Sequence, residues 1–213
     1  MYIPTVSPVP SAAASAIQSA ELAPVIAQLG REAPLPYAFD ARLGITPGVR
    51  SVSDDPQCEG IARTLGLAQV GLVLRSVRLT SGRTISVAAV PSACWRDPVL
   101  HARVLDLKWA RELSGQRLVL VPESVIRAEP RLTNALLISA CDGVRVTPRE
   151  RLMLLSQLAE VGGSASLEIC AEALAGSADP AGAVLRLVAE RVLTIALDRP
   201  IDLQSEVSLA ARR

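Results

Sequence analysis

The chain has 213 residues and a formal net charge of +1; 50% of its residues are hydrophobic and 20% are charged. This composition predicts packed domains rather than a disordered chain, and the small net charge excludes a general attraction for nucleic acid, so any such contact must come from a local patch. No basic stretch precedes an apolar run at the N-terminus and no apolar run approaches the length of a membrane span, so we expect a cytoplasmic protein without membrane contact.

Residues 1–57 contain eight of the fifteen prolines, mixed with alanine and serine. Proline removes a backbone donor, so this region predicts a loosely ordered arm with short helical turns rather than a domain. One helix is expected, Ser15–Leu29, which contains Pro24. An alternative is an extended segment that lies on the protein's own surface or on a partner's, with its apolar side chains at Tyr2, Ile3, Val6 and Val9.

Residues 58–146 have the patterns of a small α/β domain. Glu59–Leu67 suits a short helix, and two alternating segments, Leu72–Leu79 and Thr84–Val90, flank a turn as the strands of a β-hairpin do. Asp97 and Pro98 predict the start of a long helix. The aspartate side chain accepts from free backbone N–H groups there, and proline loses nothing at the first helical position.

This long helix is expected to end at Leu113, before Gly115. Its apolar residues cover more than one stripe, which predicts packing on two sides. Leu118–Val121 follows as a continuous apolar strand, typical of a sheet covered on both faces, and Pro130–Ala140 predicts another helix. The predicted fold class is therefore α/β, a small mixed sheet with helices packed against it.

Residues 147–213 predict a second domain. Thr147 and Glu150 form a capping box at the start of a helix, and further helices begin near Ser166 and Asp179. Two alternating segments joined by a turn follow. Three short helices and then a strand, a turn and a strand are typical of a winged-helix domain.

The third helix of this domain is the element that would recognise DNA bases. Its exposed side is expected to carry small and acidic residues with a single cation: Asp179, Gly182, Ala183, Arg186 and Glu190. A helix that reads the major groove normally offers several basic or polar side chains, although Arg199 in the following turn is available for phosphates. The domain therefore either contacts DNA or docks on a protein.

Two segments carry a family resemblance. WARELSGQRLVLVPESVIRAEPRLTN, which ends at Asn134, contains a helix, a glycine with an apolar strand, and Ile-Arg followed by Arg-Leu-x-Asn. AVLRLVAERVLTIALDRPIDLQSEV, which ends at Val207, contains a last helix and wing. In this succession the chain resembles the TnsA-like endonuclease family of heteromeric transposases. The resemblance implies a restriction-endonuclease-like domain followed by a winged helix, in a bacterial protein that takes part in transposition.

The residues that would cleave DNA depart from the family pattern. Glu59 is similar to the family's early helical glutamate, but Ile85–Trp95 contains no metal-binding aspartate, and no Glu-x-Lys or Gln-x-Lys follows. The one lysine, Lys108, lies inside the predicted long helix. Because such a nuclease needs carboxylates to hold a divalent ion and a lysine to stabilise charge, we predict no catalytic residue and no metal site.

Other chemically capable residues have structural explanations. His101 is expected to be packed or on the surface rather than paired with Cys94. Glu123 follows a strand, where α/β sites often form, but it suits the start of a helix equally well, and we favour the helix start. Trp95 and Trp109 are expected to anchor the core, although an exposed Trp95 would stack on a base.

The four cysteines indicate neither a metal nor a redox function. They lie far apart along the chain, without CxxC spacing, at Cys58, Cys94, Cys141 and Cys170. This pattern favours reduced, partly buried thiols over a zinc site or a disulfide framework. The chain also lacks a P-loop and a dinucleotide-binding glycine motif, so we expect no cofactor.

A run of arginines is the remaining signal. No acidic residue lies between Glu59 and Asp97. Arginines that share a face of the hairpin form a basic surface suited to phosphates, whereas scattered ones are merely solvated. The residues expected to contact DNA are Arg63, Arg75, Arg78, Arg83 and Arg96 in the α/β domain and Arg186 and Arg199 in the winged helix.

These observations predict a catalytically degenerate, nuclease-like accessory protein with a winged helix. It binds DNA nonspecifically or docks in a DNA-processing complex, as a homo-oligomer or with a protein partner. One alternative is an active metal-dependent endonuclease subunit, with carboxylates from a partner or from Glu59, Asp97 and Glu123. The other is a winged-helix transcription regulator whose α/β domain senses a ligand or dimerises.

Overall fold

The structure, a computed structural model, describes residues 33–210. The chain divides between Leu136 and Leu137 into two compact units, ten residues before the predicted domain boundary. The expected helix at Ser15–Leu29 lies outside the described residues, as does the alternative extended segment near Tyr2. Within the described part, no helix combines the length and the apolar character needed to cross a bilayer.

The first unit, residues 33–136, contains a four-stranded mixed sheet in the order β1-β2-β3-β4. Neighbouring strands are antiparallel except β3 and β4, which are parallel and connected through the long helix α4, as a parallel pair requires. This arrangement confirms the predicted small mixed sheet with helices. The elements are α1 (Leu35–Ile45), β1 (Val49–Asp54), α2 (Pro56–Thr64), β2 (Val73–Leu79), β3 (Thr84–Val90), α3 (Ser92–Arg96), α4 (Pro98–Leu113), β4 (Leu118–Pro122) and α5 (Glu123–Ile126).

Successive side chains of a strand point to opposite faces, so the sheet presents two apolar surfaces. On one face, Leu74 of β2 and Leu118 of β4 share a core with Val104 and Leu107 of α4. On the other face, helices α1 and α5 pack against the strands. Helix α4 begins as predicted, because the Asp97 side chain accepts from the first free backbone N–H groups of the helix.

Residues 35–54 form a helix and a strand of this unit, so their assignment to an extended arm is wrong. Phe39 of α1 is only 1% exposed. Strand β1 pairs with β2 along its length. Pro47 lies in the turn before β1, and two prolines lie at helix starts, Pro36 in the first turn of α1 and Pro56 in that of α2. Proline is tolerated there because those N–H groups have no partner within the helix.

Helix α4 buries one stripe, so the prediction that it packs on two sides is wrong. Val104 and Leu107 are buried, whereas Trp109 and Leu113 are 65% and 68% exposed. Trp109 therefore does not anchor the core. The sheet offers the helix one surface, and no other described element of residues 33–136 covers the opposite side.

The second unit, residues 137–210, contains three main helices and a small antiparallel sheet in the order β5-β7-β6. The predicted capping box is present, since Thr147 and Glu150 exchange hydrogen bonds at the start of the first helix. The predicted strand pair is confirmed, but the strand before the second helix was missed because it is only three residues long. The elements are α7 (Pro148–Glu160), β5 (Ser164–Ser166), α8 (Leu167–Ala173), α9 (Pro180–Ala189), β6 (Leu193–Ile195) and β7 (Glu206–Leu209); α6 (Arg131–Ala140) runs across the division between the units.

Candidate nucleic-acid interface

Four exposed arginines lie at the end of the first sheet where β1, β3 and β4 begin and β2 ends. The strand register places Ser51 opposite Arg78, and Arg78 opposite Thr84. The carbonyl of Arg117 accepts from the N–H of Ser86 at 2.9 Å. Neighbouring strands lie about 4.8 Å apart, so the group spans about 14 Å. We call this surface the arginine edge: Arg50, Arg78, Arg83 and Arg117.

The arginine edge has no acidic counterpart in the part of the chain that the structure describes. None of its four guanidinium groups forms an ion pair with a carboxylate of residues 33–210. The loops at this end of the sheet, residues 46–48, 80–83 and 114–117, contain no Asp or Glu. Residues 33–136 carry thirteen Lys and Arg against nine Asp and Glu, so the unit has an excess of positive charge. These groups are available to an anion.

Arg75, one of the predicted hairpin contacts, is instead held within the fold. Its guanidinium donates to both carboxylate oxygens of Asp40 at 2.8 and 2.9 Å and to Asp54 at 2.9 Å. The hydrogen bonds that Arg75 donates to Asp40 raise the pKa of Arg75 above its ordinary value. Arg75 lies opposite Val87, four residues along β3 from Arg83, or about 13 Å. Arg75 and Arg83 therefore do not form one surface.

Of the other arginines of this unit that were predicted to contact DNA, two lie in the arginine edge and two lie on helices. Arg78 and Arg83 belong to the arginine edge, whereas Arg63 and Arg96 are exposed on α2 and α3. Sequence reasoning missed Arg50, because its segment was assigned to an arm, and missed Arg117, because it lies far along the chain. A signal was available: an arginine directly precedes the apolar strand that starts at Leu118, as Arg83 precedes Thr84.

A buried ion pair lies between the sheet and helices α2 and α4. Asp55 and Arg111 are 3% and 4% exposed. Arg111 Nη2 lies 3.3 and 3.2 Å from the two carboxylate oxygens of Asp55. Arg111 Nε donates to the Ser86 hydroxyl at 3.0 Å, and that hydroxyl donates to Asp55 Oδ2 at 2.5 Å. The three side chains thus form a closed hydrogen-bonded cluster.

The buried carboxylate is fully engaged by the protein. Asp55 Oδ1 also accepts from the N–H of Cys58 at 3.0 Å, which caps α2. Arg111 reaches two further acceptors, Gln57 and Gln116. No buried side-chain nitrogen or oxygen of the described residues lacks a hydrogen-bond partner. The Asp55 carboxylate is therefore satisfied within the fold, because both of its oxygens accept from cationic or neutral donors.

The carboxylates left open for a diverged nuclease do not converge. Asp97 caps α4, and Glu59 is exposed on α2. Glu123 starts α5, as favoured from the sequence, and accepts from the N–H of Ser92 at 2.9 Å and from Arg127 at 2.8 Å. These two donors, Ser92 first, keep the pKa of Glu123 below its ordinary value. Among residues 33–210, no three His, Cys, Asp or Glu side chains form a group that could hold a metal ion.

The thiols and the histidine do not form a nucleophile and base. The four cysteines are free and buried. The His101 ring lies against Trp95, with centroids 5.2 Å apart and planes tilted by 56°. Trp95 is 37% exposed, so it is not the core anchor that we predicted. Burial raises the pKa of the Cys94 thiol above its ordinary value. Burial also raises the pKa of the other three thiols to about 11, at Cys58, Cys141 and Cys170.

In the second unit, helix α9 is buried rather than exposed. Gly182 and Ala183, which were expected at the surface, are buried, so this expectation is wrong. Arg186 lies in the last turns of the helix and pairs with Asp142 at 2.7 Å and with Glu190 at 3.0 Å. A recognition helix must expose one face to enter a groove. Helix α9 does not offer such a face, and its cation is already neutralised.

Arg199 is exposed on the loop between β6 and β7. The same loop contains two exposed acidic residues, Asp198 and Asp202. The negative charges of these two aspartates repel phosphate, so Arg199 is a weaker anion site than the arginine edge. Among the described residues, the surface best suited to bind an anion is therefore the arginine edge of the first unit.

Comparison with known proteins found no relative. No protein-family model, curated protein or solved structure matches the chain.

Proposed function

We propose that this protein is a catalytically degenerate, nuclease-like accessory protein that binds DNA phosphates without reading the base sequence. The observation that carries this proposal is the arginine edge, four exposed cations at one end of the sheet with no carboxylate partner among residues 33–210. Arginine binds phosphate through paired hydrogen bonds, and contacts to the DNA backbone fix position but contain no sequence information.

Two further features support this role over that of an active nuclease. The buried carboxylate Asp55 is held by Arg111 and Ser86, so it is not open to a metal ion. The chain also resembles the TnsA-like family in Trp109–Asn134 while lacking that family's metal-binding aspartate. We therefore place the protein in a DNA-processing context in which it contributes binding rather than cleavage.

We propose further that the second unit is a winged-helix domain. Its helix order and its sheet order, β5-β7-β6, support this assignment. Because α9 is buried and Arg186 is paired with Asp142 and Glu190, the domain is better suited to a structural or docking role than to base readout. A buried α9 with its arginine paired does not suit the alternative of a sequence-specific transcription regulator.

The DNA proposal predicts a large change in salt dependence. Replacing the four residues of the arginine edge with glutamine is expected to reduce the slope of log K against log salt concentration by about three to four units. Each phosphate contact contributes about 0.9 to this slope for B-DNA. The measurement is fluorescence anisotropy with a random-sequence duplex, across a series from about 50 to 200 mM salt.

Arg186→Gln is the matched control, because it makes the same substitution at an arginine already paired with carboxylates. It should leave the slope unchanged. The proposal fails if the wild-type protein shows no binding at about 50 mM salt, or if Arg186→Gln removes binding and the fourfold variant does not. Cleavage of plasmid in the presence of Mg²⁺ or Mn²⁺ would show instead an active nuclease.

A second candidate function, protein docking, is favoured by helix α4. Leu105, Trp109 and Leu113 are 47%, 65% and 68% exposed. Their spacing of four residues places them on one face of the helix, opposite the buried stripe of Val104 and Leu107. We call these three residues the apolar stripe. Exposed apolar patches of this kind mark protein interaction sites, and we take a second copy of the chain as the occupant.

The flanking charges favour self-association through the apolar stripe. Lys108 and Glu112 lie beside it and form an ion pair at 4.0 Å within the helix. In an antiparallel pair of α4 helices centred on Trp109, Lys108 of each copy lies near Glu112 of the other, so two pairs of opposite charge form along one side of the seam. Such charges beside an apolar seam set the orientation of helix pairs.

Trp109→Glu is accordingly expected to convert a dimer into a monomer at a protein concentration of about 100 µM, because it places a charge in the centre of the seam. Light scattering coupled to size-exclusion chromatography measures the mass. Leu152→Glu is the matched control, since Leu152 is 67% exposed on a helix of the second unit. A wild-type chain that is monomeric at that concentration would rule out pairing through the apolar stripe.

A further inference from the structure

The face of the sheet opposite Leu107 contains a cavity. It lies between the strands, helix α1 and helix α5, and has a volume of about 260 Å³. Its wall is aliphatic, with Leu43 from α1, Ile126 from α5, and Val87 and Val119 from the two parallel strands. An apolar wall of this kind gives water few hydrogen bonds, so displacement of water by hydrocarbon is favourable.

Among residues 33–210, Arg42 is the one charged residue that lines this cavity. It lies in the last turn of α1 and is partly buried. No carboxylate of residues 33–210 forms an ion pair or a hydrogen bond with its guanidinium. Burial, and then repulsion from Arg131, lower the pKa of Arg42 from its ordinary value, while Glu129 opposes them in part.

A partly buried guanidinium without a partner retains its charge and its donors at every physiological pH. An anion that reaches this guanidinium from the cavity would accept charge-assisted hydrogen bonds from it. These bonds are stronger than at the surface, because less water is present to compete for the donors. A carboxylate fits the planar donor pair of arginine best. The site thus combines an apolar wall with the guanidinium-bearing Arg42 at one side.

The size of the cavity limits the occupant. An engineered apolar cavity of about 150 Å³ holds benzene. A cavity of about 260 Å³ therefore has room for on the order of ten non-hydrogen atoms. We propose that this cavity binds a small amphipathic carboxylate, with its hydrocarbon part against the aliphatic wall and its carboxylate on Arg42. This site is separate from the arginine edge, and the proposal does not depend on DNA binding.

The probe is octanoate, a straight-chain carboxylate of suitable size, titrated into the full chain while methyl signals are followed by NMR. We expect saturable shifts at the methyl groups of Leu43, Val87 and Val119, with a Kd below about 1 mM. Arg42→Gln is expected to weaken binding about tenfold or more, since it removes hydrogen bonds from a charged donor. Arg103→Gln is the matched control, because Arg103 is exposed, does not line the cavity and lies outside the arginine edge.

A neutral analogue tests the role of charge. Octan-1-ol should bind the wild-type chain about tenfold more weakly than octanoate, and the two ligands should bind Arg42→Gln equally. The proposal is overturned if octanoate shows no saturable binding up to about 10 mM, or if octanol binds the wild-type chain as tightly. It is also overturned if NMR shows contacts from residues 1–32 to Val119 in the ligand-free protein, which would make that segment the occupant.

Discussion

Replacement of Arg111 by methionine is expected to lower the free energy of unfolding by about 3–5 kcal/mol. The change removes one partner of a buried pair and leaves Asp55, 3% exposed, without its countercharge. It also removes the donor to Ser86 at 3.0 Å, although the Ser86 hydroxyl still donates to the carboxylate. Urea unfolding of the full chain, followed by circular dichroism, measures the loss.

Arg103→Met is the matched control, since Arg103 is exposed on the same helix, and it should change the free energy of unfolding by less than about 0.5 kcal/mol. Asp55→Asn separates two roles, because asparagine still caps α2 but has no charge to offer Arg111. The combined variant should lose less than the sum of the single losses. Equal stability of Arg111→Met and the wild-type chain would mean that the buried cluster does not stabilise the fold.

Leu107→Ala is expected to lower the free energy of unfolding by about 2–5 kcal/mol, because it removes a fully buried side chain and leaves a cavity. Leu107 is 0% exposed and packs in the core with Leu74 and Leu118. The same urea experiment measures this loss. The magnitude within the range depends on how far α2 and α4 relax into the space.

Leu113→Ala provides the matched control, with the same substitution in the same helix at a residue that is 68% exposed. Its expected effect is within about 0.5 kcal/mol of zero. A loss of several kcal/mol at Leu113 would show that the apolar stripe is covered in the folded protein, for example by a second copy. Comparable losses at both positions would contradict the one-sided packing of α4.

Local signals in the sequence correctly located most of the helices and strands. Asp97 with Pro98, and Thr147 with Glu150, predicted helix starts, because capping depends on side chains within a few residues of the groups they satisfy. The hairpin between β2 and β3 was equally visible from alternation about a short turn. The arm assignment failed because proline content alone does not distinguish a loose segment from one whose prolines begin helices.

The candidate site was only half visible. Arg78 and Arg83 lie on one hairpin, so neighbouring positions in the chain predicted their proximity. Arg50 and Arg117 join them through β1 and β4, which pair with the hairpin across long separations. Arg75 was misplaced because its partner Asp40 comes from a helix that the sequence reading had not predicted.

Capping residues, turns and apolar periodicity in the chain determine where its helices and strands begin and end, because those features act over a few residues. Which apolar stripe of α4 is buried was decided by tertiary packing: Leu107 and Trp109 are both apolar, but the sheet covers only the side that carries Leu107. The same is true of charge. Arg111 is buried with Asp55 and Arg78 is exposed without an ion-pair partner among the described residues, because strand pairing and helix packing bring carboxylates to some arginines and not to others.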